Sequence, residues 1–87
     1  MHVLSRRHLR AAALKHSDLE APVDTWYRIA KKADWTSLAD VRKTWTTADS
    51  VGRYTVFNVK GNDYRLIAEI NYKSGRIFIR HVLTHVE

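Results

Sequence analysis

The C-terminal part of the chain alternates between apolar and polar residues with the two-residue period of β-strands. Residues 56–85 read VFNVKGNDYRLIAEINYKSGRIFIRHVLTH, in which runs rich in Val, Ile, Phe and Tyr are separated by Asn62-Asp63 and by Ser74-Gly75. Both dipeptides are typical of two-residue hairpin turns. The pattern therefore predicts three antiparallel strands joined by two tight turns.

The register that follows from these turns brings charged residues together. Two-residue loops place Lys60 opposite Arg65 in the first hairpin. In the second hairpin they place Arg65 opposite Thr84, and Glu69 opposite Arg80. Like charges directly opposite each other destabilise a sheet. The Lys60–Arg65 pair is therefore easiest to explain if an anion normally lies between the two side chains.

The same register sorts the strand residues onto two faces, which differ in polarity. One face is a continuous apolar surface that needs cover: Phe57, Val59, Leu66, Ala68, Ile70, Tyr72, Ile77, Ile79 and Leu83. The other face is polar and basic, with Asn58, Lys60, Arg65, Glu69, Asn71, Arg80 and Thr84 beside Val56, Ile67, Phe78 and Val82. We expect helices on the first face and solvent or a ligand on the second.

Helical patterns dominate the first half of the chain. Residues 21–33 carry an apolar stripe at helical spacing that suits the apolar sheet face: Val23, Trp26, Tyr27, Ala30 and Ala33. A shorter helix is predicted over residues 37–43, capped by Thr36 or Ser37, and a loop over residues 46–53. Residues 2–5 fit either an edge strand or a lead into a helix. The order of helices before strands predicts an α+β domain in two layers.

A further helix is predicted over residues 6–16, and its basic residues are unusually placed. Arg6, Arg7 and Arg10 lie at its N-terminal end, where cations oppose the helix dipole. This placement indicates either a solvated face or a charge that serves ligand binding.

Composition narrows the class of protein and partner. The 87 residues form one small domain, and the absence of cysteine excludes disulfides and thiolate metal sites. No signal peptide and no apolar run of roughly 20 residues is present, so we expect a soluble cytoplasmic protein and no membrane. The net charge of +6 favours a polyanionic partner, nucleic acid foremost, although it could serve solubility alone.

Most catalytic templates are absent from the sequence. There is no glycine-rich phosphate loop, no serine triad and no metal-binding motif. Of the five histidines, His81 and His85 are closest in a strand, but that spacing exceeds roughly 13 Å, too far for one metal ion. We therefore predict no metal and no cofactor.

Cleavage of RNA needs less machinery, because the substrate carries its own nucleophile in the 2′-hydroxyl. The protein has to supply an acid, a base and cations for the charge that builds on phosphorus. The candidate cations on the basic face are Lys60, Arg65 and Arg80. Thr84 and His85 lie at the end of the strand, near Lys60 and Arg65. His85 titrates near neutral pH and is the natural acid or base. The alternative role for His85 is a structural residue at the end of a strand.

Three segments carry a family resemblance that spans nearly the whole chain. WYRIAKKADW (26–35), VFNVKGNDYRLI (56–67) and IRHVLTHVE (79–87) resemble the HigB-type mRNA interferase toxins of the RelE/ParE superfamily. The most specific features are the Gly-Asn turn followed by Tyr-Arg, and Thr-His near the end. The resemblance implies a single toxin domain over residues 1–87.

The resemblance also implies a fold, an activity and partners. The fold would be RelE-like, with two or three N-terminal helices on one face of a three- to four-stranded, mainly antiparallel sheet. The protein would be the toxin of a type II toxin-antitoxin pair that cleaves translated mRNA on the ribosome without metal. Its antitoxin would be a helix-turn-helix protein of the HigA type.

The family's catalytic cations and histidine correspond to Lys60, Arg65, Arg80 and His85. We further predict RNA contacts from these residues: Asn58, Asn71, Thr84, Arg6, Arg7 and Arg10. Family members usually continue past the position of Glu87 with Tyr-Asp and a short basic tail, so a chain without that tail is expected to be weak or inactive if the tail grips the RNA.

Two other functions remain compatible with the sequence. One is a non-catalytic toxin of the same fold that binds a protein such as gyrase, as in the ParE branch. The other is an RNA-binding module that grips without cutting. The cationic cluster with a nearby histidine favours the nuclease.

Overall fold

Helices pack on one side of a mixed sheet in the computed structural model, which describes residues 1–61 and 63–84. The predicted α+β class is confirmed. The elements in chain order are β1 (His2–Leu4), α1 (Arg7–Lys15), a 3-10 turn (Ser17–Leu19), α2 (Glu20–Lys32), α3 (Leu38–Thr44), β2 (Asp49–Val51), β3 (Tyr54–Val59), β4 (Tyr64–Asn71) and β5 (Arg76–Thr84).

The sheet of the described residues has five strands in the order β1-β5-β4-β3-β2, more than the three to four predicted. Residues 2–5 contribute the edge strand β1, which runs parallel to β5, whereas the other pairs are antiparallel. The predicted loop over residues 46–53 is wrong in part because it contains β2. This strand is short, polar and exposed, so its sequence carries no apolar alternation that would reveal it.

The first hairpin has a longer loop than predicted. Val59 pairs with Tyr64, so residues 60–63 connect the strands, and Asn58 lies opposite Arg65. The predicted pairing of Lys60 with Arg65 is therefore wrong. Lys60 and Gly61 both have positive φ, 52° and 65°, which turns the chain before the dipeptide that was predicted to form the turn. Because the register moves by two residues, the buried face of the hairpin is unchanged.

A β-bulge interrupts the second hairpin at Arg80. Ala68 pairs with Ile79 and Ile67 with His81, which leaves Arg80 as the extra residue of β5. An extra residue exchanges the two faces of the strand beyond it.

Three face assignments are therefore wrong, and each error follows from the bulge. Val82 now pairs with Leu66 and partly joins the core. Thr84 pairs with Tyr64, and Leu83 pairs with Arg65, in place of the predicted Thr84–Arg65 pair.

The turn of the second hairpin is also longer than predicted, with four connecting residues, since Asn71 pairs with Arg76. Glu69 accordingly pairs with Phe78 rather than with Arg80.

The core is centred on Phe57, which is fully buried among three tryptophans. The Phe57 ring lies 5.3 Å from Trp26 of α2, 6.0 Å from Trp35 and 6.2 Å from Trp45, measured between ring centroids. The indole Nε1 of Trp45 donates to the carbonyl of Asn58 at 2.8 Å, which ties the end of α3 to β3. The α2 stripe covers the apolar sheet face as predicted, with Val23, Trp26 and Ala30 buried.

The third helix begins where the sequence predicted. Ser37 is its N-cap, and the Ser37 side chain accepts a hydrogen bond from the Asp40 amide at 3.3 Å. Within the described part of the chain, no helix is both long and apolar enough to cross a membrane.

Candidate functional site

Arg65 lies on the sheet face that the helices leave open. It is exposed on β4, and Asn58 of β3 is directly opposite. The two residues line a concave site of about 320 Å³, which Thr47, Asp49, Val51 and Val56 complete. The Asp49 carboxylate is held by Arg42 at 3.0 Å, so it is neutralised from the side of α3. The site therefore combines a guanidinium and an amide with an apolar wall, a set that suits a nucleotide.

Arg80 occupies a second cavity on the same sheet face. Its Nε donates to Oε1 of Glu69 at 2.9 Å, and its guanidinium lies 5.3 Å from the ring centroid of Phe78. Arg53 approaches the same carboxylate at 3.7 Å. Two guanidinium groups thus share one carboxylate, which leaves this cavity with a positive balance. Asn71 also lines it, but its side-chain oxygen accepts from the Ser74 amide at 3.0 Å and so stabilises the turn.

The two arginines do not form one patch. Arg65 and Glu69 are four residues apart on β4, which separates them by roughly 13 Å. Arg80 is hydrogen-bonded to Glu69, so its guanidinium lies near Glu69 and away from Arg65. An extended RNA strand would meet these arginines at different phosphates.

Lys60 lies outside the open face, in a cluster with the helical layer. Its Nζ is 2.5 Å from Oδ2 of Asp18, which belongs to the 3-10 turn between α1 and α2. The Tyr64 hydroxyl donates to the same carboxylate, at 2.9 and 3.1 Å from its two oxygens. The His16 ring lies 5.2 Å from the Tyr64 ring. Lys60 is thus paired with a carboxylate instead of standing beside Arg65.

The electrostatics of this cluster are mutually reinforcing. The hydrogen bond to Asp18 raises the pKa of Lys60, and the same bond, with a second from Tyr64, lowers the pKa of Asp18. Burial, and then the bond to Asp18, raises the pKa of the Tyr64 hydroxyl. All three groups therefore hold one protonation state across the neutral range.

Four further residues that were predicted to contact RNA do not line the concave site around Arg65: Arg6, Arg7, Arg10 and Thr84. Arg6 and Arg10 line the groove between α1 and α2, and the Arg6 guanidinium lies 4.4 Å from the ring centroid of Tyr27. Arg7 is exposed at the start of α1. Thr84 is level with Tyr64 on the helix side of β5. The prediction for His85 falls outside the described residues.

A group that the sequence analysis did not select is the histidine pair His8 and His81. They line a cleft of about 200 Å³ between α1 and β5, together with Lys15 and His16. The signal in the sequence is the spacing of His8, Ala12 and Lys15, which share one face of α1. Among the described residues, no group of three or more His, Cys, Asp or Glu could hold a metal ion.

Comparison with known proteins agrees with this architecture. Residues 19–87 match the family HigB_toxin, described as the RelE-like toxic component of a toxin-antitoxin system. The chain is 28% identical over 90 residues to a protein named mRNA interferase HigB of Escherichia coli O6:H1, covering all of this chain and 87% of that relative. It is 26% identical to the mRNA interferase toxin HigB of Escherichia coli K12 and to an mRNA interferase HigB of Shigella flexneri, covering 86% of each.

The family match covers most of the chain, from the 3-10 turn through α2 and α3 to the last strand. It therefore includes both cavities of the open face. The chain belongs to the HigB family, the RelE-like toxic component of toxin-antitoxin systems.

Proposed function

We propose that the protein is an endoribonuclease that inhibits growth by cleaving mRNA. Membership of the HigB toxin family and the names of the relatives, mRNA interferases, support this activity. The observation that carries the proposal is the exposed Arg65, opposite Asn58 in a concave site on the open sheet face. A planar guanidinium recognises phosphate oxygens in pairs.

In the proposed reaction, the RNA 2′-hydroxyl attacks the adjacent phosphorus, and the 5′-oxygen leaves. Arg65 binds the scissile phosphate and stabilises the charge that develops on its oxygens. Asn58 holds a neighbouring sugar or base, and Arg80 exchanges Glu69 for a second phosphate. The 2′-hydroxyl loses a proton and the leaving 5′-oxygen gains one. His85 makes one of these transfers, as base or as acid, and water makes the other. Lys60 joins the site when a phosphate replaces Asp18. No metal takes part.

The partners follow from the same proposal. The toxin acts in the cytoplasm on mRNA bound to the ribosome, and a helix-turn-helix antitoxin of the HigA type neutralises it. The family description, which names a toxin-antitoxin system, and the net charge of +6 support an RNA target and an antitoxin with acidic groups.

The test expresses wild type, Arg65→Ala and His85→Gln from a tight promoter, and compares growth, mRNA 5′ ends and RNA affinity. Arg65→Ala should lose RNA affinity and about 10² to 10³ in cleavage rate, because one charge-stabilising donor is removed. His85→Gln should lose about 10²- to 10⁴-fold in rate and keep most RNA affinity. Arg28→Ala is the matched control, because Arg28 is exposed and pairs with Asp24 on the outer side of α2.

Two results would change the assignment. A fully toxic His85→Gln protein would move proton transfer to another residue. Growth inhibition by the wild type without new mRNA ends would contradict cleavage. That second result would favour an RNA-binding or protein-binding toxin, an alternative consistent with the carboxylate partners of Lys60 and Arg80.

A further inference from the structure

The cleft between α1 and β5 is built from basic and titratable side chains. His8 and Lys15 of α1 and His16 just after it lie on one side, and His81 of β5 lies on the other. Among the described residues that line the cleft, the others are apolar and none is a carboxylate. A pocket lined in this way favours an anion.

The backbone of β5 adds hydrogen-bonding capacity to the same cleft. The strand β1 pairs with residues 76–78 alone, so in the described chain no strand pairs with residues 79–84 on that side. Alternate backbone N–H groups of such an edge point outward. The bulge at Arg80 lies where this unpaired edge begins.

The cleft is also aligned with the Arg65 site. Asn58, Arg65 and Leu83 form one row across β3, β4 and β5, and Leu83 lines the cleft. Neighbouring strands are separated by about 4.8 Å. A chain that crosses the sheet along this row therefore passes from Arg65 into the cleft within two strand spacings.

We propose that the α1–β5 cleft is a second phosphate subsite, which binds a phosphate next to the scissile one on single-stranded RNA through His8 and His81. This inference rests on the proposed function, since it extends the RNA path from Arg65. The subsite positions the strand and takes no part in proton transfer.

The electrostatics predict that binding depends on pH. Burial, followed by the nearby charges of Arg7, His81 and Arg80, lowers the pKa of His8. Lys15 and His16 of the helical side face the same cleft. A bound phosphate offsets these cations and raises the pKa of His8, so the complex holds more protons than the free protein. Affinity should therefore rise as the pH falls through the neutral range.

The experiment uses a short single-stranded oligodeoxynucleotide, which lacks the 2′-hydroxyl and cannot be cleaved. Its affinity is measured between about pH 6 and pH 8, the range in which histidine titrates. We expect His8→Gln to weaken binding about tenfold at the acidic end, the effect of one charge-assisted hydrogen bond, and to flatten the pH dependence. His81→Gln, at a more exposed position in the cleft, should also weaken binding.

His2→Gln is the matched control, since His2 is exposed on β1, pairs with Arg76 and does not line the cleft. Thermal unfolding of each variant checks the fold, and His81→Gln serves if His8→Gln is unstable. If His8→Gln and His81→Gln both bind the oligonucleotide as tightly as the wild type does, the subsite is wrong but the proposed function stands. Loss of antitoxin binding with intact oligonucleotide binding would reassign the cleft to a protein partner. A wild type that binds no oligonucleotide would contradict the proposed function itself.

Discussion

At the scale of single residues, Lys60 combines an uncommon backbone conformation with a specific ion pair. Its φ of 52° lies in the left-handed region, which glycine and asparagine enter more readily than lysine. Residues held in this region cluster at ligand-binding and catalytic sites. The ammonium group is held by Asp18, which Tyr64 orients. Asp18 thus holds the Lys60 ammonium at the edge of the sheet, and in the proposed mechanism an RNA phosphate takes the place of Asp18.

The Asp18→Asn variant tests this exchange. Removing the carboxylate charge should strengthen binding of an uncleavable oligonucleotide at low salt, because Lys60 no longer has to leave an ion pair. In Lys60→Ala, by contrast, the slope of log affinity against log salt should become shallower by about 0.7, because one phosphate contact is lost. Asp24→Asn is the control, because Asp24 pairs with Arg28 on α2. An unchanged slope in Lys60→Ala would show that Lys60 does not reach the RNA.

At the scale of helices and strands, the aromatic stripe of α2 determines whether the two layers hold together. Trp26 is fully buried and meets Phe57 edge to face. Trp26→Ala should lower the free energy of unfolding by about 3 to 5 kcal/mol, measured by urea denaturation. The control is Leu14→Ala, because Leu14 is 89% exposed and its loss should change stability by less than about 0.5 kcal/mol. A loss below about 1 kcal/mol for Trp26→Ala would contradict the packing.

The sequence predicted a helix or strand correctly where the spacing of its apolar residues matches the spacing of the residues that are buried. The α2 stripe and the buried residues of β3 and β4 follow directly from alternation, because burial selects apolar side chains at fixed spacing. The length of the first turn could not be predicted from the sequence. Lys60 adopts a positive φ there, which is uncommon for a lysine and which no sequence pattern indicates. The bulge at Arg80 could not be predicted either, because Val82 and Leu83 are adjacent and both apolar, so an apolar side chain faces the core in either register.

The same limits apply to the candidate site. Arg65 was predicted on the open face and lies there, because its strand has no irregularity before it. The pairing of Lys60 with Asp18 joins residues far apart in sequence, and no local pattern encodes it. The α1–β5 cleft could not be predicted from the sequence, because His8 and His81 come together only in the folded chain. The roles proposed for these residues stay predictions.

At the scale of the whole molecule, the excess of positive charge governs encounter with partners. The net charge of +6 on 87 residues should attract both RNA and an antitoxin with acidic groups. We expect the affinity of the antitoxin to fall as salt rises, measured by titration calorimetry over a range of ionic strength. RNA should compete with the antitoxin if both use the open face. Affinity that is independent of salt would instead indicate a mainly apolar interface.

The parallel pairing of β1 with β5 determines when the sheet can be completed during synthesis of the chain. His2 and its partner Arg76 are separated by 74 residues along the chain. Contacts between distant parts of a chain form slowly, because the loop between them has to close first. The strand β1 therefore joins the sheet only after β5 has been synthesised and has folded against β4. Until β5 is in place, neither the row through Arg65 nor the α1–β5 cleft is complete, so we expect the nascent chain to lack the proposed RNA-cleaving activity.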